Sequence, residues 1–386
     1  QSEDRSACLY PEKGYVAYVT DVSGSQEVVV RALETLNEVT RRTAPGDIIF
    51  LRALRSFNAV FASIAKDGLL LPYMLTFDGE WSSPLTDISV FAVSCTKNGC
   101  VWVGSSFDQP DCIQGMHKGK VSTLVASEYR GIDVSGESHW YSSFDGRKIQ
   151  GWLLRSKRKD APLVVYCHGG PSSAVLNMWS TGIMEMVQAG YHVFAPNFRG
   201  SATFGTEFKN LNIKDLGGGD LKDVLYGGKY AQKILGTKNP FLVGISYGGY
   251  LALHGLTTQP DEWNGGVAII PVVDYAACYS MADAADRSFI SSYFGGTPDE
   301  NPDLYEERSP ITHVDKLKSP VLIIAGENDP VCPLEPIKKF YERARSLNLP
   351  VRLEVLQGEG HVPARVSNAI RMSILELEFL KEIRDL

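Results

Sequence analysis

From residue 161 onward, short continuous apolar runs alternate with longer stretches that have helical spacing. The apolar runs contain few polar residues, as is typical of strands covered on both faces of a sheet. The predicted strands are 163–167, 191–195, 241–243, 267–270, 321–325 and 351–356, and the predicted helices are 178–189, 220–235, 247–258, 334–348 and 366–384. This alternation predicts a mostly parallel sheet with helices on both faces. Residues 275–310 interrupt it and are predicted to form a helical excursion near the strand ends.

The first 130 residues or so have a different pattern, in which short strands are followed closely by Gly, Asn and Asp turns. The clearest of these strands are 15–20, 59–64, 73–77 and 90–94. The pattern predicts a sandwich, a barrel or propeller blades. Only about three blades fit, whereas a closed propeller ring usually takes about four to eight. A predicted hairpin, 139–144 with 148–154, opens the next region.

Two domains are therefore predicted: an all-β, propeller-like region over 1–133 that looks truncated, and an α/β domain over 134–386. The chain of 386 residues is long enough for both. The first residue is Gln rather than Met, and we expect a processed chain or part of a longer one.

Charge and hydropathy limit which classes of partner the protein is expected to bind. The net charge of −7 and the pI near 5.6 argue against nucleic acid or an anionic membrane surface as the main partner. No apolar run approaches the roughly 20 residues that span a bilayer, and no basic-then-apolar leader begins the sequence. We expect a cytoplasmic protein.

The seven cysteines are odd in number and lack any Cys-x-x-Cys pair. Free or buried thiols in a reducing compartment are the favoured interpretation. A disulfide between Cys95 and Cys100 across a hairpin is the less favoured alternative.

The motif Gly244-Ile-Ser-Tyr-Gly248 lies between the predicted strand 241–243 and the predicted helix 247–258. A strand that turns into a helix this sharply strains its turn residue, and side chains two positions away would collide, so glycines flank it. The turn exposes the Ser246 hydroxyl at a helix N-terminus, where negative charge is favoured. Ser246 is the candidate nucleophile; a plain tight turn is the alternative.

A serine nucleophile needs a base, which a third group orients. His361 follows the strand 351–356 in a strand-end loop and is the candidate base, whereas His254 and His313 are interpreted as structural. Asp329 is favoured over Glu327 as the acid, because it lies further along the loop that leaves the strand 321–325. A turn-capping role is the alternative for Asp329.

The segment His168-Gly-Gly-Pro171 ends the strand 163–167. Glycines there let backbone N–H groups point into a small cavity, as in an oxyanion hole. The predicted donors are the N–H groups of Gly170 and Tyr247, and a plain Gly-Pro turn is the alternative. Asp220 is interpreted as a structural helix N-cap, and Arg199 as one half of an internal ion pair rather than a substrate contact.

No His/Cys group has metal-ligand spacing, and glycines 217–219 lack the Lys-Ser/Thr of a phosphate loop. We therefore expect no metal and no cofactor.

Several ordered motifs over about 250 residues resemble the prolyl oligopeptidase family of serine peptidases, especially its acylaminoacyl-peptidase branch. They are Asp145-Gly146 with Gly151-Trp152, His168-Gly-Gly-Pro171, Asn197-Phe-Arg-Gly-Ser201, Gly217-Gly-Gly-Asp220, Gly244-Ile-Ser-Tyr-Gly-Gly249, Ser309-Pro-Ile311, Asp329-Pro-Val331 and Gly360-His361. The resemblance implies an α/β-hydrolase domain with Ser246, Asp329 and His361 as catalytic triad, a covalent acyl-enzyme intermediate and an N-terminal β-propeller.

The front half departs from the family, whose propeller normally takes several hundred residues, so a size filter for substrates does not carry over. Phe198 stands where the family often has Tyr. Cys332 lies near the proposed acid, where a reactive-thiol role is a minor alternative.

The expected function is a serine hydrolase that cleaves amide bonds of short or N-acylated peptides through an acyl-enzyme. A carboxylesterase acting on short acyl esters with the same triad is the main alternative, and a catalytically silent scaffold is the third. The expected partners are a short peptide or acyl-ester substrate and, because an incomplete propeller leaves strand edges exposed, a second copy of the chain.

Overall fold

The computed structural model describes residues 5–54, 59–82, 86, 88–96, 98–117, 120–129 and 134–385. The chain folds into two compact units. The first comprises 1–136, 176–180 and 202–209, and the second comprises 137–175, 181–201 and 210–386. The predicted domain boundary after residue 133 adjoins residues 130–133, which lie outside the described residues, and it stays a prediction.

The first unit is all-β, as predicted. Its strands are β1 Arg5–Tyr10, β2 Tyr15–Thr20, β3 Glu27–Ala32, β4 Glu38–Thr43, β5 Asp47–Leu54, β6 Ala59–Lys66, β7 Leu69–Thr76, β8 Ser89–Thr96, β9 Gly99–Ser105, β10 Cys112–His117 and β11 Lys120–Val125. They form three sheets, β1–β4, β5–β7 and β8–β11, in which each strand pairs antiparallel with the next. Three such sheets agree with the expected three blades.

The middle sheet fills both cores of this unit. Val60, Ala62 and Ile64 of β6 join a buried cluster with the first sheet, whereas Ala59 and Phe61 join a second cluster with the third sheet. Successive side chains of a strand point to opposite faces, so one strand serves both clusters. This explains why residues 59–64 are all buried rather than alternately buried and exposed.

Cys95 and Cys100 correct the expectation of free thiols. They are directly paired across the β8–β9 hairpin and form a disulfide, whereas Cys112, Cys167, Cys278 and Cys332 are free thiols. Their separation of five residues spans one tight turn, so register rather than any Cys-x-x-Cys spacing brings them together. Disulfides persist mainly in oxidising compartments, and the cytoplasmic location stays a prediction.

The second unit is built on an eight-stranded sheet with the order β12-β13-β15-β14-β16-β17-β18-β19. Strands β14 to β19 run parallel, and β13 runs antiparallel to β15. The strands are β12 Gly136–Ser142, β13 Lys148–Leu154, β14 Leu163–Cys167, β15 His192–Asn197, β16 Phe241–Ile245, β17 Gly265–Ile269, β18 Val321–Gly326 and β19 Val351–Leu356. The predicted parallel sheet is confirmed, with an antiparallel edge.

Nine α-helices occur among the described residues: α1 Thr181–Gln188, α2 Thr206–Lys209, α3 Gly219–Leu235, α4 Tyr247–Thr258, α5 Tyr275–Met281, α6 Ala284–Phe294, α7 Pro302–Glu307, α8 Leu334–Ser346 and α9 Val366–Arg384. Helices α5 to α7 and a 3-10 helix, Pro310–Lys316, form the predicted excursion. Helix α1 begins later than predicted, because residues 176–180 fold with the first unit. Within the part of the chain that the structure describes, no helix combines the length and the apolar character needed to span a membrane.

Helices cover both faces of the sheet. A Cβ on Gly228 of α3 would lie 3.3 Å from Val165, so Val165 faces α3. Its neighbour Tyr166 has its pKa raised by burial and by the carboxyl group of Glu376 on α9. Because consecutive strand residues point to opposite faces, α3 and α9 lie on opposite sides of β14.

Candidate active site

Ser246 occupies the turn between β16 and α4 with φ +57° and ψ −118°, a backbone conformation that residues other than glycine rarely adopt. A Cβ on Gly244 would overlap the carbonyl oxygen of Gly248, and one on Gly248 would overlap that of Cys167. The two glycines are therefore required by close backbone approach, as the motif predicted.

A continuous hydrogen-bond chain starts at this serine. The Ser246 hydroxyl lies 2.9 Å from Nε2 of His361, and Nδ1 of His361 lies 2.8 Å from Oδ2 of Asp329. An ionised carboxylate only accepts, so Nδ1 carries the proton and Nε2 is free to accept from the serine. The Asp329 side chain is fully buried, and its Oδ1 accepts the N–H groups of Val331 and Cys332.

Sheet topology explains this assembly. Ser246 follows β16, Asp329 follows β18 and His361 follows β19. Strands β16 to β19 are parallel, so their carboxyl ends meet at one edge, where ligand-binding loops of such sheets gather. The three predicted residues are brought together although they lie far apart in sequence.

The rejected alternatives lie elsewhere. The carboxylate of Glu327 accepts the N–H of Gly358. The His313 ring binds the carbonyl oxygen of Glu307, and His254 is buried against Tyr250, where burial lowers the pKa of its imidazole to about 3. None of these three side chains hydrogen-bonds to Ser246 or His361.

The two predicted oxyanion donors border the same cavity as Ser246. Gly170 has φ +131°, and a Cβ there would lie 2.7 Å from the backbone nitrogens of Ser172 and Ser173, so only glycine fits. Neither the Gly170 N–H nor the Tyr247 N–H donates a backbone hydrogen bond to another described residue. Both N–H groups remain available to an oxyanion.

His168 holds the glycine loop in place, a role that sequence reasoning did not assign. It is buried, stacks on Phe198, hydrogen-bonds through Nδ1 to the Gly169 carbonyl oxygen at 2.7 Å and contacts the Ser201 hydroxyl through Nε2 at 2.8 Å. Burial lowers the pKa of His168 to about 4. The ring is thus neutral at pH 7: Nδ1–H donates and Nε2 accepts.

Asp220 lies within the first turn of α3 rather than at its N-cap position, which corrects that expectation. Helix α3 has Gly218 as its N-cap, and Asp215 accepts the Gly219 N–H. The Asp220 carboxylate accepts the Leu221 N–H of the first helical turn through Oδ1 and the Tyr247 hydroxyl through Oδ2, and burial raises its pKa to about 7. Asp220 therefore anchors the side chain of the residue whose N–H is a candidate oxyanion donor.

Arg199 forms the predicted internal ion pair. Its guanidinium donates to Asp223 at 2.8 Å and to Asp145 at 3.0 and 3.1 Å. Asp223 is fully buried, and Arg199 is almost so. The pair ties the hairpin loop of Asp145 to α3 within the domain, so this arginine is committed to structure.

A cavity of about 80 Å³ opens beside the serine. Its walls are mostly apolar and come from the helical excursion and the strand-end loops. They are Gly170, Pro171, Leu216, Ser246, Tyr247, Val272, Tyr275, Cys278, Ala282, Asp286, Phe289, Ile290, Val331 and Cys332. The sequence of residues 275–310 predicted helices but did not indicate that these helices line the cavity.

One group of metal-capable side chains occurs among the described residues, although the sequence spacing predicted none. Ligand atoms of Asp329, Cys332 and His361 all lie within 4.8 Å of one another. The group overlaps the hydrogen-bond chain, in which the Asp329 and His361 side chains are bonded to each other.

The family model for the prolyl oligopeptidase family (Peptidase_S9) matches residues 178–385, more than half of the chain. The chain is 28% identical over 216 residues to the rat (Rattus norvegicus) acylamino-acid-releasing enzyme, covering 54% of this chain and 30% of that protein. It is 31% identical over 243 residues to dipeptidyl aminopeptidase BIII of Pseudoxanthomonas mexicana, covering 59% and 35% respectively.

The solved structure of a puromycin hydrolase superposes with a TM-score of 0.88 at 21% identity, covering all of this chain and 62% of that one. The acylaminoacyl peptidase of Pyrococcus horikoshii gives 0.83 at 18% identity, covering 95% and 61%. These structures establish the fold. The chain spans about a third of the length of these two curated relatives. Because the family model matches more than half of the chain, including Ser246, Asp329 and His361, the chain belongs to the prolyl oligopeptidase family.

Proposed function

We propose that this protein is a serine peptidase that cleaves amide bonds of short or N-acylated peptides through an acyl-enzyme intermediate. The observation that carries the proposal is the hydrogen-bond chain from Ser246 through His361 to the buried Asp329. This is the arrangement that makes a serine hydroxyl nucleophilic in hydrolases.

In the acylation step, the Ser246 oxygen attacks the carbonyl carbon while its proton moves to Nε2 of His361. Asp329 holds the imidazole by Nδ1–H and stabilises the imidazolium that forms. The N–H groups of Gly170 and Tyr247 bind the oxyanion of the tetrahedral intermediate. His361 then gives the proton to the leaving amine nitrogen, which departs and leaves an acyl ester on Ser246.

Deacylation repeats the same sequence with water. His361 takes a proton from the water while the water oxygen attacks the acyl ester. The oxyanion forms again in the same place, and the proton passes to the serine oxygen as the carboxylic acid leaves. Protons balance over the cycle, which consumes one water molecule.

The proposed substrate class is supported by the cavity beside Ser246. Its mostly apolar walls favour an uncharged side chain or acyl group next to the scissile carbonyl. The names of the curated relatives, acylamino-acid-releasing enzyme and dipeptidyl aminopeptidase, refer to the release of short N-terminal units. Both observations favour a short residue on the acyl side.

Self-association is a further part of the proposal. Strand β11 forms one edge of the third sheet, and all six of its residues are exposed, including Leu124 and Val125. An exposed apolar edge strand is a ready template for pairing with another chain. A second copy of this chain would cover it.

Paired kinetics on an acyl-aminoacyl anilide and a short acyl ester test the substrate proposal, with Ser246→Ala as the control. Efficient anilide cleavage that disappears in the variant supports a peptidase. Turnover of the ester alone would make the protein an esterase on a peptidase-family frame. Equal rates for the wild type and Ser246→Ala would refute the assignment of the nucleophile.

A further inference from the structure

Cys332 is a buried thiol next to the proposed base and acid. One ligand atom from each of Asp329, Cys332 and His361 lies within 4.8 Å of the other two. Cys332 is 2% exposed, and it borders the cavity that also contains Ser246. The proposed hydrolytic cycle does not use this thiol.

The donor set is that of a thiophilic divalent cation. Sulfur, imidazole nitrogen and carboxylate oxygen bind Zn²⁺ at roughly 2.0–2.3 Å in a tetrahedron, which places ligand atoms roughly 3.3–3.8 Å apart. Ligand atoms that lie up to 4.8 Å apart in this fold would need to approach one another by at most roughly 1.0–1.5 Å to meet that geometry. The fourth position would face the cavity and hold water.

The surroundings of Cys332 argue against a covalent role for its thiol. Burial and the nearby Asp329 carboxylate raise the pKa of the Cys332 thiol well above its usual value. A neutral thiol is a weak nucleophile, which argues against the reactive-thiol interpretation. A bound cation would supply positive charge next to the sulfur and so stabilise the deprotonated thiolate.

We propose that Asp329, Cys332 and His361 form an inhibitory binding site for a thiophilic divalent cation such as Zn²⁺. Binding releases the Cys332 proton to solvent and joins the metal to sulfur, a ring nitrogen and a carboxylate oxygen. If the metal binds Nδ1 of His361, the ring proton moves to Nε2. If the metal binds Nε2, the metal occupies the Nε2 lone pair. Either way, His361 can no longer accept the Ser246 proton.

The site has a route of entry. The His361 side chain is 24% exposed, and the cavity reaches Cys332 from the side of Ser246. A hydrated ion can therefore approach without unfolding the domain. Loss of activity rests on the proposed function, whereas binding of the ion does not.

Binding is tested with CoCl₂ and ZnCl₂ on the full chain after dialysis against EDTA. Cobalt reports thiolate coordination through a sulfur-to-metal charge-transfer band, and zinc competes for it. The band should be present in the wild type and in the matched control Cys278→Ser, whose thiol borders the same cavity outside the ligand group. It should be absent in Cys332→Ser and weakened in His361→Gln, with folding checked by circular dichroism.

Inhibition is measured as anilide hydrolysis, with each variant compared with its own metal-free rate. Cys332→Ser should need at least about tenfold more Zn²⁺ for half-inhibition than the wild type, and EDTA should restore the wild-type rate. A cobalt band that survives in Cys332→Ser, or equal zinc sensitivity in both proteins, would overturn the proposal. A band with no hydrolysis in metal-free protein would refute the proposed function alone.

Discussion

Replacing Gly170 by alanine tests the proposed oxyanion hole without removing any hydrogen-bond donor. At φ +131° the added Cβ would lie 2.7 Å from the nitrogens of Ser172 and Ser173, whereas ordinary contact begins at 3.4 Å. The loop must therefore shift by roughly 0.7 Å or rotate out of the left-handed region. Either change moves the Gly170 N–H away from the oxyanion.

The expected loss follows from that displacement. Removing one oxyanion donor costs about 100- to 1,000-fold in kcat, and a misplacement of about 1 Å costs on the order of 100-fold. Gly170→Ala should therefore lower kcat for the anilide by about 100-fold. KM should change far less, because the oxyanion forms only after attack begins.

Gly182→Ala is the matched control. Gly182 lies in α1, and a Cβ there would meet nothing within 4 Å. Alanine is preferred over glycine in helices by up to about 1 kcal/mol, so the control should keep full kcat and melt no earlier. If Gly170→Ala folds normally and keeps kcat within a few-fold of the wild type, the assignment of this donor is refuted.

Three further changes have defined outcomes. Asp329→Asn should lower kcat by about 10,000-fold in the anilide assay, since the neutral amide no longer fixes the imidazole tautomer; a loss below tenfold would contradict its role. Burial and Glu185 raise the pKa of Glu376 to about 8 from 4.5, so its contribution to stability, present below pH 4.5, is lost as the pH rises through 8. The free energy of unfolding of Glu376→Gln should therefore exceed that of the wild type by an amount that grows between pH 5 and 8, to at most roughly 5 kcal/mol. Thermal melting at each pH measures this difference, and a difference independent of pH would refute the reasoning. Leu124→Lys on β11 should reduce self-association in light scattering; a wild type that is monomeric at working concentration would contradict the proposed interface.

Sequence patterns predicted much of the second unit because most of its central strands are continuous apolar runs and its longer helices are periodic. The strand 351–356 and the helices 247–258 and 366–384 were predicted with their observed bounds. The catalytic candidates could also be found, since Ser246, Asp329 and His361 each follow a strand of the sheet, and parallel strands bring their ends to one edge.

What the sequence did not reveal depends on contacts between distant positions. The hydrogen bond from Tyr247 to Asp220 and the position of Cys332 beside His361 exist only once the loops are folded. Cys95 and Cys100 pair because hairpin register places them opposite each other. The function of α5 and α6 as cavity walls is likewise a matter of packing, which local spacing does not encode.

The most direct test of the account is to label the protein with a fluorophosphonate and map the adduct by mass spectrometry. We predict one adduct, on Ser246, and labelling slowed by about 1,000-fold or more in His361→Gln because the hydroxyl has lost its base. An adduct on another residue, or equal labelling of Ser246→Ala, would contradict the claim that Ser246 is the activated nucleophile.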